Sequence, residues 1–160
     1  EYICFMDADG RILDKDFLKK LYIYAARHKL DIVCPLYIPY KSRIDVYIFF
    51  LFLNFFFWSF QKISPYGAGP CIFVKRNAFE KVGGVNPEYI FDDIDFVRKT
   101  AQNHKFGTIP LVAYTSDRRF RKKGVIKTMI DYIIIFVLML FNNIKGTNKL
   151  DYKFDIYRKK

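Results

Sequence analysis

Histidine and cysteine are scarce in this sequence of 160 residues, which holds two histidines and three cysteines. His28 and His104 stand far apart, and neither has a cysteine or an acidic residue at the spacing of a metal ligand. Cys4, Cys34 and Cys71 lie widely spaced in apolar stretches, so we expect buried, reduced thiols. These features argue against zinc chemistry.

Long apolar runs are also lacking, because none reaches the roughly 18 to 20 residues that a membrane-spanning helix needs. The longest candidates are 46–60, where Asn54 and Ser59 are the polar residues, and 132–141, which is apolar throughout. The first residues show no charged start, apolar core and cleavage site of a secretory signal. Without internal repeats or linkers, a chain that is 52% hydrophobic and 27% charged fits one folded domain.

Acidic residues are outnumbered, since 16 Asp and Glu face 27 Lys and Arg and the formal net charge is +11. Such a surplus favours an anionic partner, whether nucleic acid, phosphates or acidic lipid headgroups. The 18 Phe and 12 Tyr crowd into a few segments that are nearly free of charge. A nucleic-acid reader would instead interleave aromatic residues with its cations, so no nucleic-acid partner is expected.

Strands and helices alternate along the chain in the manner of an α/β domain. Strands are predicted at 2–6, 31–38, 71–74 and 107–114, and helices at about 15–28, 44–60, 77–83, 92–103 and 125–141. Asp14 is expected to cap the first helix, and Asn77 with Glu80 has the spacing of a capping box for the third. The segments 64–70 and 116–123 are predicted to be loops.

Two carboxylates, Asp7 and Asp9, directly follow the first apolar strand and precede Gly10. Hard oxygen ligands at this spacing suit Mg²⁺ or Mn²⁺ and, through the cation, a diphosphate. The alternative is a solvated turn, because Asp and Gly favour turns anyway. The position at the end of a buried strand favours the ligand site, since ligands bind there in open α/β sheets.

Three further carboxylates, Asp92, Asp93 and Asp95, lie within four residues at the start of a predicted helix. One or two acids there would be explained by favourable electrostatics with the helix dipole. Three are harder to explain in that way. A carboxylate held at this place can serve as a general base toward an acceptor hydroxyl.

A basic segment, 118–123, carries five cations in six positions after the last predicted strand. Such a run is commonly a solvated face. Arg118 and Arg119 can instead grip a phosphate with two parallel hydrogen bonds each, which lysine cannot do.

The order and spacing of these motifs resemble those of family 2 glycosyltransferases of the GT-A type. The resemblance covers roughly residues 1–125, and the combination is more specific than any single motif. It rests on Phe5-Met6-Asp7-Ala8-Asp9, Gly67-Ala68-Gly69 before a strand with Arg76, Gly83-Gly84-Val85, and Asp92-Asp93-Ile94-Asp95-Phe96. It implies a GT-A-like mixed sheet flanked by helices and a transfer of sugar from a nucleotide-diphosphate-sugar donor to an acceptor.

Carried over residue by residue, the resemblance implies that Asp7 and Asp9 bind the divalent cation and the donor diphosphate. Asp93 falls on the position of the catalytic base, while Asp92 departs from the family's usual glutamate. Arg118 and Arg119 fall in an arginine-rich motif that contacts the diphosphate. The vicinity of the acceptor site is implied for Gly67, Ala68, Gly69, Asp92 and Asp95.

The resemblance further implies an inverting reaction, and an acceptor that is a glycan hydroxyl or a lipid phosphate, as in cell-envelope glycan synthesis. The Gln and Trp of processive polysaccharide synthases are absent, which favours transfer of single sugars. We expect 1–124 to be the C-terminal portion of the catalytic domain, preceded by a nucleotide-binding half, and 125–160 to be an apolar helix with a basic tail. These 160 residues alone are then expected to be inactive.

Two contacts are open for the apolar helices. They can lie in a membrane interface, with the basic segment and tail near anionic headgroups on the cytoplasmic face, or they can pack on the sheet or on the expected N-terminal half of the domain. The competing function for the whole chain is a non-catalytic basic α/β module that binds anionic membrane or nucleic acid. The long aromatic runs are nearly free of charge, which favours the enzyme.

Overall fold

The computed structural model describes residues 1–67, 70–88 and 91–141. The strands of this part of the chain are β1 (Tyr2–Phe5), β2 (Ile32–Pro39), β3 (Ile72–Lys75) and β4 (Phe106–Thr115). They form one sheet in the order β1-β3-β2-β4. β3 pairs antiparallel with both β1 and β2, whereas β2 and β4 run parallel. The predicted α/β class with a mixed sheet is confirmed.

The helices flank this sheet. They are α1 (Phe17–His28), α2 (Ile44–Phe60), α3 (Arg76–Val82), α4 (Asp92–Asn103), α5 (Arg118–Lys123) and α6 (Val125–Leu140). The bounds of α2 and α4 agree with those predicted from the sequence. Within the described ranges, no helix has both the length and the apolar character needed to cross a membrane.

Alternating side chains along the strands divide the core between the two faces of the sheet. Val33 and Phe73 point to the face covered by α1, where Leu21 is fully buried. Ile32 and Val74 point to the opposite face, covered by α3 and α4. This three-layer arrangement holds β1 and the start of α4 in fixed positions relative to each other.

An aromatic layer joins α2, α5 and α6 beside the C-terminal part of β2. The rings of Phe50 and Phe120 lie 5.6 Å apart, and that of Tyr132 stacks on Phe120 at 6.0 Å. The buried Asn54 of α2 clamps β2, because its Nδ2 donates to the Tyr37 carbonyl at 2.7 Å and its Oδ1 accepts the Tyr37 N–H at 3.1 Å. A helix side chain thereby takes the place of a neighbouring strand.

Three local predictions were wrong. Helix α1 begins at Phe17, because the Asp14 carboxylate accepts the N–H of Asp16 at 2.9 Å and so caps the preceding turn. Helix α3 begins directly after β3 without a side-chain cap, so the capping box of Asn77 is not formed. The basic segment is a short helix, α5, and not a loop. Its repulsion is relieved where Arg121 pairs with Asp117 at 2.9 Å and where Lys123 pairs with Asp131.

Candidate functional site

The turn after β1 presents Asp7 and Asp9 at the end of the sheet. The Gly10 N–H donates to the Asp7 carbonyl at 3.0 Å, and a Cβ at Gly10 would stand only 3.1 Å from that oxygen. Arg11 then forms a bridge with Tyr114 near the end of β4, with N···O distances of 2.9 and 2.8 Å. The bridge ties the acidic turn to the sheet.

The Asp7 carboxyl lies in a negative environment. Its pKa is raised, first by partial burial and then by the neighbouring carboxylates of Asp9 and Asp92, while Arg119 acts in the opposite direction. The side chain keeps contact with solvent, so its burial is only partial. Both acidic segments predicted from the sequence therefore meet at Asp7.

The start of α4 holds its carboxylates with its own backbone. Asp92 Oδ1 accepts the N–H of Asp93 at 2.9 Å, and Asp93 Oδ1 accepts the N–H of Ile94 at 2.8 Å. Asp95 differs, because it is 7% exposed and its Oδ2 lies 2.6 Å from Lys99 Nζ. Asp92 and Asp93 thus belong to the polar cluster, whereas Asp95 belongs to an ion pair along the helix.

The two arginines at the start of α5 reach the same cluster. Arg118 Nη2 lies 3.7 Å from Asp9 Oδ2. The Arg119 guanidinium donates a hydrogen bond to the Tyr132 hydroxyl and also acts on the Asp7 carboxyl. Asp117, which accepts a hydrogen bond from Ser42 Oγ at 2.8 Å, fixes the position of this helix start.

Three tyrosines, which sequence reasoning missed, line the side of the cluster that faces the aromatic layer. Burial raises the pKa values of Tyr37, Tyr66 and Tyr132, and the Asp93 carboxylate raises each of them further. Asp93 thus acts electrostatically on three phenols. Tyr132 lies beyond the part of the chain that the family resemblance covers, and the available signal was a hydroxyl at the start of the apolar run 132–141.

The loop before β3 approaches the sheet closely at Gly67. A Cβ there would stand 2.4 Å from Cys34 Sγ and 2.7 Å from Val97 Cγ2, so the position has no room for a side chain. Ala68 and Gly69, also expected near the acceptor, lie outside the described residues.

Two carboxylates suit a divalent cation in this cluster. Asp7 and Asp9 supply hard oxygen atoms, and a cation would offset the repulsion that raises the Asp7 pKa. Within the described ranges, no three His, Cys, Asp or Glu residues converge as a complete metal site. This donor set fits Mg²⁺ or Mn²⁺, which commonly completes its shell with water and phosphate oxygens.

No family model and no curated protein match this chain. Among solved structures, its fold is similar to that of a mannosyltransferase from Pyrobaculum calidifontis in complex with GDP-Man and Mn²⁺. The TM-score is 0.64 at 19% sequence identity. The match covers 94% of this chain but 40% of the mannosyltransferase, so the chain spans well under half of that protein's length. The similarity shows a glycosyltransferase-like fold.

Proposed function

We propose that the protein is a glycosyltransferase that moves a sugar from a nucleotide-diphosphate-sugar to an acceptor hydroxyl. The observation that carries this proposal is the convergence of Asp7, Asp92, Arg119, Tyr132 and Asp93, which act electrostatically on one another although they are distant in sequence. The carboxylates suit a cation and the arginine suits a diphosphate, so the cluster can bind both together. The similar mannosyltransferase, solved with GDP-Man and Mn²⁺, supports this donor class.

Each residue has a role in the proposed reaction. The Asp93 carboxylate removes the proton of the acceptor hydroxyl, whose oxygen attacks the anomeric carbon. The bond from that carbon to the diphosphate breaks, and the nucleoside diphosphate leaves with the electron pair. Arg118 and Arg119 bind its phosphate oxygens. A divalent cation held by Asp7 and Asp9 would supply further neutralisation of the diphosphate.

The finer points of the proposal rest on the resemblance to family 2 glycosyltransferases. That resemblance implies attack on the side opposite the leaving group, which would invert the anomeric carbon. We propose a family 2 enzyme of the GT-A type that works on the cytoplasmic face of a membrane, on a glycan or lipid-linked acceptor. The competing proposal, a non-catalytic basic module, offers no use for the carboxylates around Asp7.

The test is calorimetry on the intact protein, with Mn²⁺ and with GDP or UDP as the nucleoside diphosphate. Asp9→Asn removes one of the two cation ligands and the partner of Arg118, so we expect Mn²⁺-dependent nucleotide affinity to fall at least about tenfold. Asp14→Asn is the matched control, because Asp14 pairs with Lys20 at 2.6 Å and not with the arginines of the cluster. Unchanged affinity in Asp9→Asn, or equal losses in both variants, would contradict the cation assignment.

A further inference from the structure

An apolar stripe runs along the exposed side of α2. Its side chains recur every three or four residues and are each between 55% and 74% exposed: Ile44, Ile48, Leu51, Phe52, Phe55 and Trp58. The opposite side of α2 is buried in the aromatic layer. Large apolar side chains exposed together in this way usually mark an interaction site.

A second apolar stripe runs along α6. It is formed at the same helical spacing by Ile126, Ile130, Ile133, Ile134 and Val137, which are between 38% and 75% exposed. Thr128 and Ile135, on the other side of α6, are buried. The helix is therefore apolar on two sides, and only one of them is covered by the described part of the protein.

The two stripes face the same way. Phe49 contacts Tyr132 and Phe56 contacts Phe136, with ring centroids 5.9 and 4.6 Å apart, so α2 and α6 run in the same general direction. With about 3.6 residues per turn, the stripe of α2 lies roughly a third of a turn around its helix from Phe49 and Phe56. The stripe of α6 lies roughly a third of a turn around its helix from Tyr132 and Phe136, in the opposite sense. The stripes therefore form one surface, here named the α2–α6 surface.

The charges around this surface are mostly positive. Lys62 follows α2, Lys122 lies in α5 and Lys127 lies in the first turn of α6, all of them exposed. At the start of α2, Arg43 and Asp45 are paired at 2.8 Å and offset each other's charge. An apolar surface with a cationic border matches the order of layers at an anionic bilayer, where headgroups meet the cations and acyl chains meet the apolar side chains.

We propose that the α2–α6 surface docks the protein on an anionic lipid bilayer, with both helices lying in the plane of the interface. A protein partner suits the surface less well, because protein interfaces combine an apolar centre with hydrogen-bonding groups of both kinds at the rim. Ser59 lies beside the α2 stripe, but its hydroxyl donates to the Phe55 carbonyl of its own helix at 2.8 Å. That donor is therefore already used within the protein. The inference rests on exposure, packing and charge, independently of the proposed sugar transfer.

Trp58 provides a direct readout, because it is the single tryptophan of the sequence and is 55% exposed on the α2 stripe. The intact protein is mixed with vesicles of phosphatidylcholine, with or without about 30% phosphatidylglycerol, a fraction chosen to give a strongly anionic surface. We expect a blue shift of tryptophan emission, quenching by brominated acyl chains and flotation with the anionic vesicles, weakened by salt. Unchanged emission and no flotation would overturn the proposal.

Matched variants distinguish vesicle binding through the α2–α6 surface from nonspecific vesicle binding. Phe52→Asp with Phe55→Asp places two charges in the α2 stripe, whereas Leu18→Asp with Ile23→Asp changes residues of α1 that are 54% and 48% exposed. We expect vesicle partitioning to fall at least about tenfold in the first pair and by less than about twofold in the second. Circular dichroism and thermal melting verify that both variants are folded.

Two other outcomes would also overturn the proposal. Equal losses in the two double variants would assign vesicle binding to overall charge or apolar character. A protein that is dimeric without vesicles, and becomes monomeric in the α2 variant alone, would identify a second copy of the chain as the occupant. Asp93→Asn should bind vesicles like the unmodified protein, so a failure of docking is distinguishable from a failure of the proposed function.

Discussion

The two acidic segments of the site hold their carboxylates in different ways. At the start of α4, Asp92 and Asp93 each accept a backbone N–H of their own helix. After β1, Asp7 faces two other carboxylates, those of Asp9 and Asp92, and its pKa is raised by partial burial and by both of them. The negative charge of the α4 segment is stabilised by backbone N–H groups of the protein, whereas that of the β1 segment is stabilised only in part.

This difference indicates which segment a cation would stabilise. Carboxylates bound to helix amides are stabilised as anions without any ligand. Carboxylates crowded against one another are stabilised when a divalent cation binds. The proposed function therefore places the cation at the β1 segment and proton transfer at the α4 segment, and each of these proposed roles can be tested by changing one segment at a time.

The largest effect is expected for Asp93→Asn. The change keeps size and polarity but removes the proton-accepting charge, so turnover should fall by about 10² to 10⁴ while Mn²⁺ and nucleotide binding persist. Asp95→Asn is the matched control, because Asp95 is paired with Lys99 along α4 and should lose little. Sugar-transfer rates with the intact protein, alongside calorimetry, provide the measurement. Normal turnover in Asp93→Asn, together with an inactive Asp95→Asn, would move the base to the other carboxylate.

An intermediate effect is expected when both Arg118 and Arg119 are changed to Ala. Loss of two charge-assisted phosphate contacts should weaken nucleoside-diphosphate binding by roughly 10- to 100-fold. Lys122 and Lys127 changed together to Ala are the control, because they remove the same formal charge from the neighbouring turns; Lys123 is avoided because it is paired with Asp131. Titration of GDP or UDP measures the effect. Equal losses in both double variants would indicate a diffuse electrostatic surface instead of specific contacts.

The smallest effect is expected for Asp7→Asn, and it concerns stability. Because the folded-state pKa of Asp7 is raised, its ionised carboxylate is less favourable in the folded protein than in the unfolded chain at pH 7. Replacing it should raise the free energy of unfolding by about 0.5 kcal/mol, a small gain because solvent screens the group. The gain should shrink toward pH 4, as the carboxyl becomes protonated in both states. Urea denaturation with EDTA at the two pH values tests this, and a less stable variant at pH 7 would show that the crowding is harmless.

The sequence predicted the regular elements well where length and composition were distinctive. The bounds of α2 follow from a long apolar segment without helix breakers, the start of α4 follows from its acidic cluster, and the strands follow from short apolar runs. Their pairing was less accessible, because the order β1-β3-β2-β4 depends on contacts between distant segments. Helix α5 was missed because a run of like charges argues against a helix. The charges that compensate it lie outside the run: Asp117, directly before the helix, pairs with Arg121, and Asp131 of α6 pairs with Lys123.

The candidate site was predicted in part. Motif spacing named Asp9, Asp92 and Arg119, which the structure brings near Asp7, and Arg118, which it brings near Asp9. The phenols of Tyr37, Tyr66 and Tyr132 could not be named, because a tyrosine in an apolar run has the same pattern as a core residue. What distinguishes them is their common neighbour, Asp93, and that neighbour is set by tertiary packing.

The clamp from Asn54 to Tyr37 also limits which backbone groups of β2 are open to pairing with another chain. β3 pairs with β2 only at Ile32 and Val33, so the remaining length on that side would offer backbone groups to any extended peptide. Asn54 occupies the Tyr37 amide and carbonyl, so these two groups are not open to such a peptide. A single carboxamide on the buried side of α2 thus removes one residue of β2 from edge-to-edge pairing.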